Sequence, residues 1–225
     1  MFAIKRNEPN AVLKALHAGA SPNCRNSSSA TGPIWKVLLE YLRGNRKNST
    51  QGDTALSVAI SMHEQYDNSR GTLVVPYEDT RVIRMLVEAG ADPNLRSIDG
   101  SNPILQAVEW TDVRTVRLLL DHNGAVDLKD KDGTTPLMIA VGKPTIRIAL
   151  MLMERGANVE ATDNDGRTPL MHAARQGTPD MMRCLLRYHP DIAARDNKGM
   201  TALQHAKAAF NSHAERILKT AGSKR

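Results

Sequence analysis

Between Asp130 and Asp163 the apolar residues come in two short bursts with polar punctuation around them. Leu137 and Ala140 lie three positions apart, the spacing of neighbours on one helix face. Ile148, Leu150, Met151 and Leu152 fit a buried stripe on a second helix that starts near Thr145. The polar residues mark the ends. Asp130 and Gly133 bracket a tight turn, where glycine reaches positive φ without a steric cost. Thr135 is an N-cap, and Pro136 sits at the first helical position, where its missing N–H is no loss. Gly156 stops the second helix in the left-handed conformation. Residues 157–160 then run to the next turn at Asp163.

The same order recurs. Thr135-Pro136-Leu137 precedes Ala140, and Thr168-Pro169-Leu170 precedes Ala173. Asn102-Pro103-Ile104 precedes Ala107, and Thr201-Ala202-Leu203 precedes Ala206. The four sets begin at 102, 135, 168 and 201, a constant step of 33. Such a period indicates small supersecondary units that bury their apolar faces on one another. The helix stops recur too, as Gly19-Ala20-Ser21-Pro22-Asn23 and Gly90-Ala91-Asp92-Pro93-Asn94. Near 123 the register shifts by one, so Asn123 takes the left-handed cap. His189-Pro190-Asp191 forms a weaker stop aided by proline. The pattern predicts turn geometry at Gly133 and Gly166, and burial of Leu137, Leu170 and Leu203.

The unit Gly-x-Thr-Pro-Leu…Ala…Leu-Leu…Gly-Ala-Asp-x-Asn, at this offset, resembles the ankyrin repeat. The resemblance implies an all-α solenoid of stacked helix-turn-helix units joined by β-turns or hairpins. The 225 residues suffice for about six to seven units in a single array. Residues 1–23 read as a partial N-terminal unit, whose second helix runs from Asn10 to His17 with Val12, Leu13 and Leu16 inward. Residues 24–96 hold irregular units, 97–129, 130–162 and 163–195 are regular, and 196–225 is a C-terminal capping unit with a polar outer face. In the irregular part a first helix starts at Pro33 and another at Thr54. Their starts, Gly32 and Thr54, are 22 apart, so one unit has lost or shortened its second helix. From Thr54 to Gly90 is 36 residues against 21 from Thr135 to Gly156, which places an inserted loop of 15 at about 64–78. Val82, Met85, Leu86 and Val87 then form a second helix.

Composition changes the picture little. Aromatic residues make up 4% of the chain, which suits thin aliphatic layers better than one large core. Cys24 and Cys184 lie far apart in a stack that contacts only neighbours, so both are expected as free thiols. That favours a reducing, intracellular compartment, the cytoplasm first, with the nucleus compatible. No apolar run is long enough to span a bilayer, and the first residues lack a secretory stretch. Asn26-Ser27-Ser28 and Asn48-Ser49-Thr50 then read as ordinary polar loops.

Candidate chemistry is sparse. There is no phosphate-binding glycine loop, no His-Glu-x-x-His helix and no cysteine at metal spacing. His172 and His205 share a register 33 residues apart and read as polar positions along a helix face. Asp163-Asn164-Asp165-Gly166 reads as a turn held by side-chain hydrogen bonds. No catalytic residue, cofactor or metal site is expected. An enzyme built on the insertion between His63 and Thr80 would need a nucleophile–base pair that this segment does not contain.

In ankyrin arrays the hairpin tips and the exposed end of the first helix line a concave surface. By register, the resemblance places Asp99, Glu109 and Trp110 there, then Lys131, Asp132 and Lys143. Asp165, Arg167, Arg175 and Gln176 follow, and finally Lys198 and Met200. The stack itself does not need an aromatic at Trp110, which marks it as a binding anchor or as a cover for the neighbouring loop. Trp35 sits on an apolar helix and reads as core or loop-covering. The basic positions of this face are Lys131, Lys143, Arg167, Arg175 and Lys198, against Asp99, Glu109, Asp132 and Asp165. Five against four is near neutral, so nucleic acid is the weaker candidate. The net charge of +6 falls instead on second-helix arginines such as Arg114, Arg117, Arg147, Arg155, Arg183, Arg187 and Arg216. The expected function is a non-catalytic, monomeric interaction module for a protein or peptide. The incomplete first unit raises the alternative of a recognition arm in a larger protein.

Overall fold

A computed structural model describes residues 8–23, 54–61, 66–67, 72–73, 80–97, 100, 102–110 and 112–223. The expectations placed on Cys24, Trp35, Asp99, the two sequons and the helix from Pro33 lie outside these residues. The chain divides into two compact units, Met1–Trp110 with Arg114–Gly124, and Thr111–Val113 with Ala125–Arg225.

In the first unit, α1 spans Glu8–His17, α2 Ala55–Ser61, α3 Arg81–Glu88 and α4 Pro103–Glu109; α5, Val113–Asp121, lies mostly in it. First helix α2 packs on first helix α4, and α1 packs directly on α3 although the whole of residues 18–80 separates them. Their stop loops are stitched as well. Asn23 Nδ2 donates to the Gly90 carbonyl at 3.0 Å, and the Asp92 N–H donates to Asn23 Oδ1 at 2.6 Å. The expected insertion contains an antiparallel pair of two-residue strands, β1 (Tyr66–Asp67) and β2 (Thr72–Leu73). Val12 and Ala15 are the buried residues of α1, with Leu13 and Leu16 half-buried. In α3 the inward residues are Ile83, Leu86 and Val87, while Val82 and Met85 stay half-buried.

The second unit is three successive repeats. Its elements are α6 (Pro136–Val141), α7 (Arg147–Glu154), α8 (Pro169–Gln176), α9 (Pro179–Leu186), α10 (Ala202–Ala208) and α11 (Ser212–Gly222). First helices α6 and α8 start as their sequence dictates. Thr135 Oγ1 accepts the Met138 N–H, and Thr168 Oγ1 accepts the Met171 N–H, each ahead of a proline. Thr178 caps α9 in the same way. First helices α6, α8 and α10 stack in series, and α8 also touches α9 and α11. The core is therefore a set of thin layers. Leu137, Ala140, Leu152, Leu170, Ala173, Met181, Met182 and Leu185 are sealed from water.

Two stops take the expected left-handed conformation, φ 84° at Gly156 and 63° at Asn123, and His189, read only as a weaker proline-aided stop, takes it too at 54°. Leu203 departs from expectation. It is half-buried, because α10 has α8 and α11 against it but no fourth repeat among the described residues. Leu150 is also half-buried, whereas Ala149 and Met153 are buried: α7 is enclosed on more than one side.

Candidate functional site

The tips of the second unit repeat one construction. Asp130, Asp163 and Asp196 each open a turn whose fourth residue is glycine, with φ of 76° at Gly133, 77° at Gly166 and 75° at Gly199. The aspartate Oδ1 accepts two backbone N–H groups, two and four residues on. For Asp163 these come from Asp165 at 3.0 Å and Arg167 at 2.8 Å. For Asp196 they come from Lys198 at 2.9 Å and Met200 at 2.8 Å. The tips are then tied to one another. The Asn164 N–H donates to the Asp132 carbonyl, and Asn164 Nδ2 to the Lys131 carbonyl, both at 3.0 Å. Asn197 repeats this on the Asp165 and Asn164 carbonyls, at 2.9 and 3.0 Å.

The second carboxylate oxygen reaches into the helix that follows. His172 Nε2 lies 2.9 Å from Asp163 Oδ2, and His205 Nε2 lies 2.8 Å from Asp196 Oδ2. The two histidines are therefore locks between tip and first helix, and not simply polar residues on a helix face. Asp130 has Ile139 at the corresponding place, so its turn has no such lock. Burial tends to raise Asp163, but the Arg167 N–H, His172 and the Arg167 guanidinium outweigh it, and the carboxyl sits below its ordinary range. Asp196 is likewise lowered, by the Met200 N–H, His205 and the Lys198 N–H against the effect of burial. Burial pushes His172 below its usual value, aided by Arg167 and Arg175 and opposed by Asp163. A neutral His172 then donates its Nε2–H to Asp163.

These shifts set a pH dependence. A depressed group contributes stability above its ordinary pKa and loses it as pH falls through the depressed value. For His172 the loss begins below 6.5. For Asp163 and Asp196 it begins below 3.8. From these groups the melting temperature gains its full contribution above 6.5, and it should fall in two stages beneath that. His172→Gln keeps an N–H donor but cannot titrate, so circular dichroism melts of this variant should show a weakened first stage. Superimposable profiles for the two proteins would count against the assignment.

Five of the expected site residues, Asp165, Arg167, Arg175, Lys198 and Met200, line one shallow cleft of about 250 Å³, with Asp196, Asn197, His205, Ala208 and Ala209. Arg167 is committed there: its Nε lies 2.9 Å from Asp163 Oδ2 and its Nη2 2.7 Å from Asp165 Oδ2. Arg175 and Lys198 are exposed, and neither side chain has an ion-pair partner among the described residues. The cleft thus sets Met200, Ala208 and Ala209 beside two cations that have no ion-pair partner among the described residues. Lys131, Asp132, Lys143 and Gln176 belong to the same unit outside the cleft. Glu109 and Trp110 belong to the first unit, where Trp110 forms the C-cap of α4 and is 42% exposed.

Sequence reasoning missed Asp196 and His205 as part of this surface. Their signal was present, since Asp163–His172 and Asp196–His205 share a spacing of nine residues. Among the described residues no cluster of His, Cys, Asp and Glu could hold a metal ion, and no helix is long and apolar enough to cross a membrane. Cys184 is free and buried, and burial pushes its thiol up, away from the reactive range.

The comparisons with known proteins agree with this geometry. A protein-family model described as ankyrin repeats, in three copies, matches residues 72–163 and again 142–221. A search of the curated proteins gives no significant match.

Proposed function

Because the chain belongs to the ankyrin-repeat family, whose members are generally protein-interaction modules, we propose that it binds a protein or an extended peptide along the tips and first-helix ends of its second unit, without catalysing a reaction. One observation carries this reading: the side chains of Arg175, Lys198 and Met200, which take no part in the tip ladder or the Asp–His locks, line one cleft, and the two cations have no ion-pair partner among the described residues. The tip ladder and the Asp–His locks hold that surface in place before a partner arrives, which limits the ordering entropy lost on binding. Trp110 is the first unit's candidate contact, half out of its layer at a helix end.

The test is affinity capture with quantitative mass spectrometry on wild type and on the Arg175→Glu/Lys198→Glu double variant, followed by calorimetry with the captured protein. The double variant should keep wild-type helicity and lose the partner. Trp110→Ala should weaken binding by about 2 kcal/mol if it is a hot spot, while Arg187→Ala on a second helix should change little. An unchanged set of captured proteins with the double variant would sink the reading for this cleft.

A further inference from the structure

The loop joining α10 to α11 holds a residue that the fold alone does not favour. Phe210 has φ of 55° and is 94% exposed. Its N–H donates to the Lys207 carbonyl at 3.0 Å, and the Asn211 N–H donates to the Ala206 carbonyl at 2.9 Å. This is the helix stop that glycine makes freely and that any β-carbon makes costly. A phenyl ring left in water gains nothing from burial to offset that cost. Glycine would serve stability better on both counts, and strain held at an exposed position points to use.

The loop is also fixed from behind. Asn211 Oδ1 accepts the Ala214 N–H at 3.1 Å and caps α11. Asn211 Nδ2 reaches the preceding repeat, donating to the Ala174 carbonyl at 3.2 Å and the Gly177 carbonyl at 3.4 Å. Phe210 therefore stands at a set place, directly after Ala208 and Ala209, which line the cleft together with Arg175 and Lys198.

Resting on the reading of that cleft given above, the geometry points to Phe210 as the apolar anchor of the surface and to an acidic protein segment as its occupant. One apolar side chain of the segment packs on Phe210, Met200 and the two alanines. Flanking carboxylates reach Arg175 and Lys198. The two exposed cations, Arg175 and Lys198, favour the encounter with such a segment.

The probes are short fluorescent peptides carrying one leucine at varied positions between runs of glutamate. Controls replace glutamate by glutamine or leucine by alanine, and a single-stranded oligonucleotide serves as a non-protein anion. Wild type should bind the best acidic leucine peptide at least about tenfold more tightly than either control. Phe210→Gly should lose about tenfold in affinity while its melting temperature rises by about 2–4 °C, since the strain is gone. Phe210→Asn, which tolerates the same backbone, should behave alike. Wild-type affinity in Phe210→Gly overturns the anchor. If Arg175→Glu/Lys198→Glu still weakens binding in that case, the cleft reading stands; if neither variant matters, it falls as well. Binding to none of the peptides, or tighter binding of the oligonucleotide, overturns the acidic-segment assignment. A dimer seen by sedimentation and abolished by Phe210→Gly would make a second copy the occupant and overturn it too.

Discussion

Leu170→Ala should destabilise the second unit by about 2–5 kcal/mol, the range for truncating a sealed core leucine. Leu170 is 1% exposed and lies on α8, the helix that touches α6, α9, α10 and α11. Its removal leaves a void bordered by several elements, with Ala173 and Ala174 too small to fill it. Leu203→Ala, at the same register on α10, should cost clearly less because Leu203 is already half-buried. Urea denaturation of both variants checks the pair. A loss below about 0.5 kcal/mol for Leu170→Ala, the size of an ordinary surface change, would count against the packing described.

Gly166→Ala should cost about 2–4 kcal/mol, from left-handed strain and the loss of ladder hydrogen bonds together. The backbone stands at φ 77°, and a β-carbon there would meet Asn197 Oδ1 at 2.5 Å and the Asn197 N at 3.0 Å. To make room, Asn197 must leave the Asp165 and Asn164 carbonyls. Gly199 supplies the control. It has nearly the same φ, 75°, but nothing within 4 Å of an added β-carbon. Gly199→Ala should therefore cost only the strain, about 1–2 kcal/mol. Equal losses in the two variants, by thermal or urea denaturation, would mean that the tip ladder adds nothing to stability.

Much of the fold was legible because each repeated residue solves a local problem. Thr168 caps and Pro169 starts a helix whatever surrounds them, and Gly133, Gly166 and Asn123 carry their conformations in their own chemistry. Burial was less legible, since it depends on what packs alongside. Ile83, Ala149 and Met153 are enclosed on sides that a single helical stripe does not represent, and among the described residues Leu203 has no repeat on its far side as Leu170 does. The Asp–His locks were hidden for a related reason. Their nine-residue spacing passes through a turn and a cap, and neither the helical nor the strand period describes that path. The near-neutral tally of the expected face also concealed its local charge. Arg167 is satisfied by Asp163 and Asp165, whereas Arg175 and Lys198 are not, and only coordinates separate committed charges from uncommitted ones. Phe210 obeys no propensity at all.

The tip ladder divides labour among atoms. It is written almost wholly in main-chain carbonyls of residues 131, 132, 164 and 165 and in the amides of Asn164 and Asn197. The side chains of Lys131, Asp132 and Lys198 take no part in it. Mutation can therefore rewrite the outward chemistry of these tips, from cation to anion to apolar, while the register between repeats is inherited unchanged. A lineage built this way can change its partner without first having to rediscover its fold.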